Sequence, residues 1–294
     1  MPQERKAYRN YIAGLLLFGS NGIVASGIAL DSYKIVYLRC VIGSLALLLL
    51  FLLTKQKRNA KGHARDLCFL AVSGAAMGAN WLFLYEAYQQ IGVGAASLLN
   101  YCGPVIVMAL APIFFHEKLT LRKCLGFLTV LIGVFLINGQ AAQEGKTLWG
   151  LFCGGMSAVM YAVLVIANKK VTHIVGMENA LYQLLFSTLT VVVFLFFREG
   201  LLFSIPAGAW RFVLLLGVVN TGVGCYLYFS SIGRLPVQSV AVLGYLEPFS
   251  AVVLSAVLLR EGMSVTRFLG AALILGGAMF AELSGKKKKS SFSE

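Results

Sequence analysis

Long apolar runs alternate with short polar gaps along the whole chain. A run of about 20 apolar residues crosses a bilayer as a helix. The pattern predicts ten such spans, at 10–30, 33–54, 67–91, 94–115, 121–138, 148–169, 178–197, 210–232, 237–259 and 266–283. No long linker or soluble insertion separates them, and the last residues, KKKKSSFSE at 286–294, read as a solvated basic tail.

The pattern is written twice. NYCGPVIVMALAPIFFHEKLT at 100–120 aligns without a gap on GYLEPFSAVVLSAVLLREGMS at 244–264, at an offset of 144. Upstream, YEAYQQIG at 85–92 corresponds to YLYFSSIG at 226–233, and Gly14 and Gly19 correspond more weakly to Gly150 and Gly155. The chain therefore divides into a repeat at 1–143, a second at 144–285 and the tail at 286–294. Each repeat holds five spans, and an odd number makes the second copy enter the membrane from the opposite face. The expected fold is all-α and integral to the membrane: ten transmembrane helices in two inverted five-helix repeats. Inverted repeats give a carrier two related conformations with a site near the midplane, where the repeats meet.

Charge sets the orientation. Cytoplasmic loops are enriched in Lys and Arg. With the N-terminus inside, 18 of the 25 fall in inner segments, 6 in outer ones, and Arg39 alone lies within a span. Both termini are thus expected in the cytoplasm, with the protein in the cytoplasmic (plasma) membrane.

Composition agrees and excludes alternatives. Of 294 residues 59% are hydrophobic and 13% charged, against roughly 25% charged in a soluble domain. The net charge of +13 resides in loops and forms no basic, aromatic-interleaved face for nucleic acid. The N-terminal segment lacks a small-residue cleavage site and reads as a retained first helix. The six cysteines lie in or beside apolar runs without metal-ligand spacing. GGMSA at 154–158 loosely resembles an intramembrane serine site, but His63, His116 and His173 all fall in or beside loops, so no base is placed for it. A channel calls for charged rings or a polar stripe along a whole helix, and neither is present. No cofactor or metal is expected.

Polar residues inside the spans are the candidate site. Arg39, Glu86 and Glu247 are the intramembrane charges, each expensive at that depth. Arg39 and Glu86 fall in the outer parts of their spans. Three roles are open to them: a mutual ion pair, a contact to a charged end of substrate, or snorkelling to headgroups. Glu247 stands near the midplane beside Pro248, which cannot donate a backbone hydrogen bond. It is a candidate for a coupled proton, for cation binding, or for a structural tie between helices. Asn21, Asn80, Asn100, Ser157 and Asn220 supply further polarity at similar depth, and Trp81, Tyr85, Tyr101, Tyr161, Tyr226 and Tyr245 supply aromatic faces suited to an ammonium or an aromatic group. Each is also open to a packing role. The fifth and tenth spans carry instead Gly126 and Gly133, and Gly270 and Gly277, and read as close-packed scaffold.

FGSN at 18–21, Arg39, YEAY at 85–88, YCGP at 101–104, HEKLT at 116–120, YLEP at 245–248 and REGMS at 260–264 together resemble the EamA family of the drug/metabolite transporter superfamily. The resemblance covers essentially the whole chain. It implies ten helices, cytoplasmic termini, a central cavity and carriage of a small metabolite, often as amino-acid export. A carrier of quaternary amines or of cationic or aromatic drugs is the alternative, and an intramembrane enzyme a remote one. The expected partners are a small-molecule substrate and membrane lipids, with H+ as the candidate coupling ion and the oligomeric state left open.

Overall fold

The computed structural model describes residues 2–55, 59–91, 93–116, 119–138, 147–258 and 265–286. Glu117 and Glu261 of the paired loops, the repeat boundary at 143 and the tail beyond Lys286 lie outside them. The described residues form helices and no strand: α1 (Pro2–Gly19), α2 (Asn21–Ser26), α3 (Ser32–Leu53), α4 (Ala64–Ile91), α5 (Val93–Asn100), α6 (Gly103–Phe115), α7 (Leu121–Asn138), α8 (Leu148–Lys169), α9 (Met177–Arg198), α10 (Trp210–Leu214), a π-helical stretch Leu215–Val223, α11 (Gly224–Ile232), α12 (Val237–Leu243), α13 (Leu246–Leu258) and α14 (Val265–Lys286).

Among the described residues, five segments are long and apolar enough to cross a membrane: Ser32–Leu53, Ala64–Ile91, Leu148–Lys169, Met177–Arg198 and Ala207–Ile232. Their outward faces are apolar as well. Leu45, Leu49 and Leu53 on α3 are 59%, 60% and 71% exposed, a row that suits lipid rather than water. The protein is an integral membrane protein.

Four ranges that the hydrophobic pattern reads as continuous are interrupted. The first breaks at Ser20, whose hydroxyl donates to the Leu17 carbonyl at 2.7 Å. The fourth breaks at Tyr101 and Cys102 and the ninth at Gly244 and Tyr245. The eighth passes through the π-helical stretch. Pro104 and Pro248 do not make these breaks. They sit in the first turns of α6 and α13, where a missing N–H has no intrahelical partner to lose.

Packing follows the glycines. α7 and α14 cross so closely that a Cβ on Gly133 would lie 2.6 Å from the Gly270 carbonyl oxygen, and one on Gly277 would lie 2.7 Å from that of Gly126. α4 runs along α8 and α9, and α1 along α11 and α13. Residues 144 apart meet directly: the Ser44 and Thr188 hydroxyls at 2.7 Å, and the Tyr245 hydroxyl on the Tyr101 carbonyl at 2.6 Å.

Carboxylates tie backbone segments at one end of the bundle. Asp66, in the first turn of α4, accepts the N–H groups of Thr172, His173 and Ile174 at 3.0, 2.6 and 3.3 Å. Glu178, in the first turn of α9, accepts those of Asn59 and Ala60 at 2.9–3.1 Å.

Candidate functional site

A cavity of about 90 Å³ lies where the interrupted helices converge. One water needs roughly 10–15 Å³, so the space holds more than a single solvent molecule. Its polar lining is Asn21, Arg39, Asn80, Asn100 and Glu247; Phe18, Trp81, Tyr161 and Tyr228 supply aromatic faces, and Met77, Leu84, Leu164, Cys225 and Phe229 complete it. The lining comes from both halves of the chain.

Each polar group is placed by a neighbouring helix. Arg39 on α3 is 3% exposed. Its Nε donates to Thr221 Oγ1 in the π-helical stretch at 3.0 Å, and its guanidinium carbon stands 4.4 Å from the centre of the Trp81 ring. Thr221 is itself oriented by donating to the Leu216 carbonyl at 2.8 Å. Asn80 Nδ2 donates to Asn100 Oδ1 at 2.9 Å and to the Ser157 carbonyl at 2.7 Å, joining α4, α5 and α8. Asn220 makes the matching tie at the break after α1. Its Nδ2 reaches Asn21 Oδ1 at 3.0 Å, Ser20 Oγ at 2.7 Å and the Leu17 carbonyl at 3.1 Å. Glu247 enters from the first turn of α13, where the helix dipole favours a negative charge. Arg39 and Glu247 share the cavity without an ion pair within 4.0 Å, among the described residues.

The structure thus brings Asn21, Arg39, Asn80, Trp81, Asn100, Tyr161 and Glu247 together, and places the other sequence-selected residues elsewhere. Ser157 is fully buried and donates to the Gly154 carbonyl at 2.7 Å. Asn220 is buried behind Asn21 and positions it. Tyr245 is fully buried, with its hydroxyl on the Tyr101 carbonyl and its ring 6.5 Å from that of Tyr101. Tyr85 packs on Tyr88 at 5.3 Å, beside Trp81 but off the lining. Tyr226 faces the other way, into a separate apolar groove of about 580 Å³ between α3 and the π-helical stretch, with Leu45, Leu49 and Leu53. Glu86 is not the partner of Arg39. It accepts from the Tyr33 hydroxyl, from Trp149 Nε1 at 3.1 Å and from Gln90 Nε2 at 3.2 Å, with Arg198 at 3.9 Å. That cluster joins α3, α4, α8 and α9.

Phe18 and Tyr228 are lining residues that sequence reasoning passed over. Tyr226 and Tyr228 are two positions apart, about 200° around a helix at 3.6 residues per turn, so a single cavity takes only one of them. Tyr228 is the one, with its hydroxyl 3.5 Å from that of Tyr161.

A helical membrane bundle enclosing a polar, two-charge cavity between its halves is the architecture of a transporter. The chain matches the model of the EamA-like transporter family over residues 7–139 and 148–282. It belongs to that family, and the family unit occurs in it twice. It is 24% identical over 278 residues to the uncharacterized transporter YxxF of Bacillus subtilis, covering 94% of this chain and 89% of that one. It is 28% identical over 221 residues to a probable terminal-alkyne amino-acid exporter of Streptantibioticus cattleyicolor, covering 74% and 73%. A solved crystal structure, 20% identical, superposes with a TM-score of 0.80 over 95% of this chain and 98% of its own, which establishes the shared fold.

Proposed function

We propose that this transporter moves a small metabolite, an amino acid or a related compound, out of the cell across the plasma membrane by alternating access. In this proposal ten spans form two inverted five-helix repeats, both termini are cytoplasmic, and H+ is the coupling ion. The observation that carries it is the cavity lined from both halves at the breaks in their helices, since inverted-repeat carriers bind substrate at the repeat interface beside discontinuous helices. The family unit matched in both halves supports duplication, and a relative named as a probable amino-acid exporter supports the substrate class. The aromatic rings around Glu247 favour a second substrate class, organic cations such as quaternary amines.

Purified protein in proteoliposomes, loaded with a panel of unlabelled amino acids, tests this by counterflow of each labelled counterpart. Exchange above protein-free vesicles is expected for at least one amino acid. Exchange of quaternary amines with none of any amino acid overturns the substrate assignment.

A further inference from the structure

We infer that Arg39 and Glu247 are the two ends of a zwitterion site, Arg39 receiving the carboxylate of an α-amino acid and Glu247 its ammonium. The inference rests on the transport function proposed above and says how the same cavity selects its substrate.

Arg39 is almost wholly buried, yet among the described residues only its Nε is hydrogen-bonded, to Thr221. The guanidinium carbon lies over the Trp81 ring, 4.4 Å from its centre, in cation–π contact. The two terminal nitrogens of Arg39 have no hydrogen-bond acceptor among the described residues, and the side chain lines the cavity. A guanidinium offers a rigid fork of donors that matches a carboxylate bidentately. Burying such a charge is expensive unless it is paired.

Glu247 is the complementary case. Its carboxylate lines the same cavity and accepts no hydrogen bond from a described side chain or backbone N–H. A carboxylate and a guanidinium retained only to stabilise the bundle would be expected to close on each other, as Lys34 and Glu199 do at 3.2 Å. These two do not close. Glu86, on α4, is committed to Tyr33, Trp149 and Gln90.

A molecule carrying both charges completes the interrupted pair. An organic cation would satisfy Glu247 and the aromatic rings but leave Arg39 unpaired beside it. A dianion would satisfy Arg39 and face Glu247 with like charge. A zwitterion satisfies both, and Trp81 and Tyr228 then face its side chain.

The test uses full-length protein in nanodiscs with L-phenylalanine, L-leucine and L-threonine, each against its methyl ester, which lacks the carboxylate, and its N-acetyl form, which lacks the ammonium. Wild type is expected to bind at least one free amino acid at least tenfold more tightly than either derivative, by calorimetry. Arg39→Gln should erase the preference over the ester and keep that over the N-acetyl form. Glu247→Gln should do the reverse. A misfolded variant cannot produce this crossed pattern, and Arg39→Lys, which keeps the charge without the fork, should retain only part of the preference over the ester. Equal binding of amino acid, ester and N-acetyl form by wild type, with amino-acid counterflow intact, overturns the zwitterion site and leaves the transport function standing. Loss of both preferences together in both variants also overturns it. Absence of amino-acid binding together with absence of counterflow overturns the proposed function, and this inference with it.

Discussion

Two adjacent glycines on α14 measure how tightly the α7–α14 crossing is packed. A methyl group on Gly276 meets nothing within 4 Å. One on Gly277 would stand 2.7 Å from the Gly126 carbonyl oxygen and 3.0 Å from the Val130 nitrogen. Both atoms are backbone, so no side chain can swing aside. Relief requires the helices to separate by about 0.7 Å, enough to forfeit a quarter to a half of the dispersion attraction across the gap. Overpacking of this kind costs about 1–3 kcal/mol. Replacing a mid-helix glycine by alanine returns about 0.5–1 kcal/mol of backbone entropy at either position. That gain is common to both variants and drops out of their difference. Gly277→Ala should therefore be less stable than Gly276→Ala by about 1–3 kcal/mol, read by SDS titration or thermal unfolding in detergent. Gly133→Ala, aimed at the Gly270 carbonyl at 2.6 Å, should behave like Gly277→Ala. The double variant should lose less than the sum, because one separation relieves both clashes. Equal stability of Gly276→Ala and Gly277→Ala would refute the close crossing.

Glu86→Gln keeps the shape of the hub between α3, α4, α8 and α9 but weakens its charge-assisted hydrogen bonds, and should lower stability by about 1–3 kcal/mol; an unchanged unfolding temperature would make the cluster incidental. Asp66→Asn leaves one carbonyl where a carboxylate accepted three backbone N–H groups, and should speed hydrogen exchange at Thr172, His173 and Ile174; unaltered exchange there counts against the tie. In a cysteine-free background, Lys61→Cys and Ser290→Cys should label only from the cytoplasm and Lys146→Cys only from outside; labelling of positions 61 and 146 from one side breaks the inverted ten-span topology. If the coupled proton is carried on Glu247, Glu247→Gln should exchange substrate without acceleration by a pH gradient, and surviving acceleration assigns coupling to another group.

The five membrane-crossing segments found among the described residues were legible in the sequence because a bilayer demands runs of fixed length, and the family because its motifs recur in order. The interruptions were less so. Pro104 and Pro248 advertise a disturbance nearby, but the chain breaks at Tyr101 and Cys102 and at Gly244 and Tyr245, residues whose local propensities permit helix. The direction of polar side chains was least legible. In water an apolar stripe marks the inward face of a helix, whereas here lipid and core are both apolar, and nothing distinguishes Tyr226 from Tyr228. The cation–π contact of Arg39 with Trp81 joins α3 to α4 and depends on their crossing, which neither segment encodes alone. Glu247 stood out because a carboxylate at mid-span is conspicuous wherever it points.

The contact between Tyr101 and Tyr245 carries a historical consequence. In a chain matched twice by one family unit, Tyr101 against Tyr245, paired in the gapless alignment at offset 144, is one repeat position facing its own copy. Were the two family units descended from one chain that paired with itself before fusion, every substitution there would have altered both sides together. After fusion each side became free to change, but only into something the other could still meet. Such self-facing positions form a seam along which drift is coupled. Gly103 and Glu247, also 144 apart, show what divergence off the seam permits: one copy carries a carboxylate that its twin lacks. Related sequences should accordingly show correlated substitution at 101 with 245, and independent substitution at 103 and 247, so the seam between the two family units can be traced without a structure.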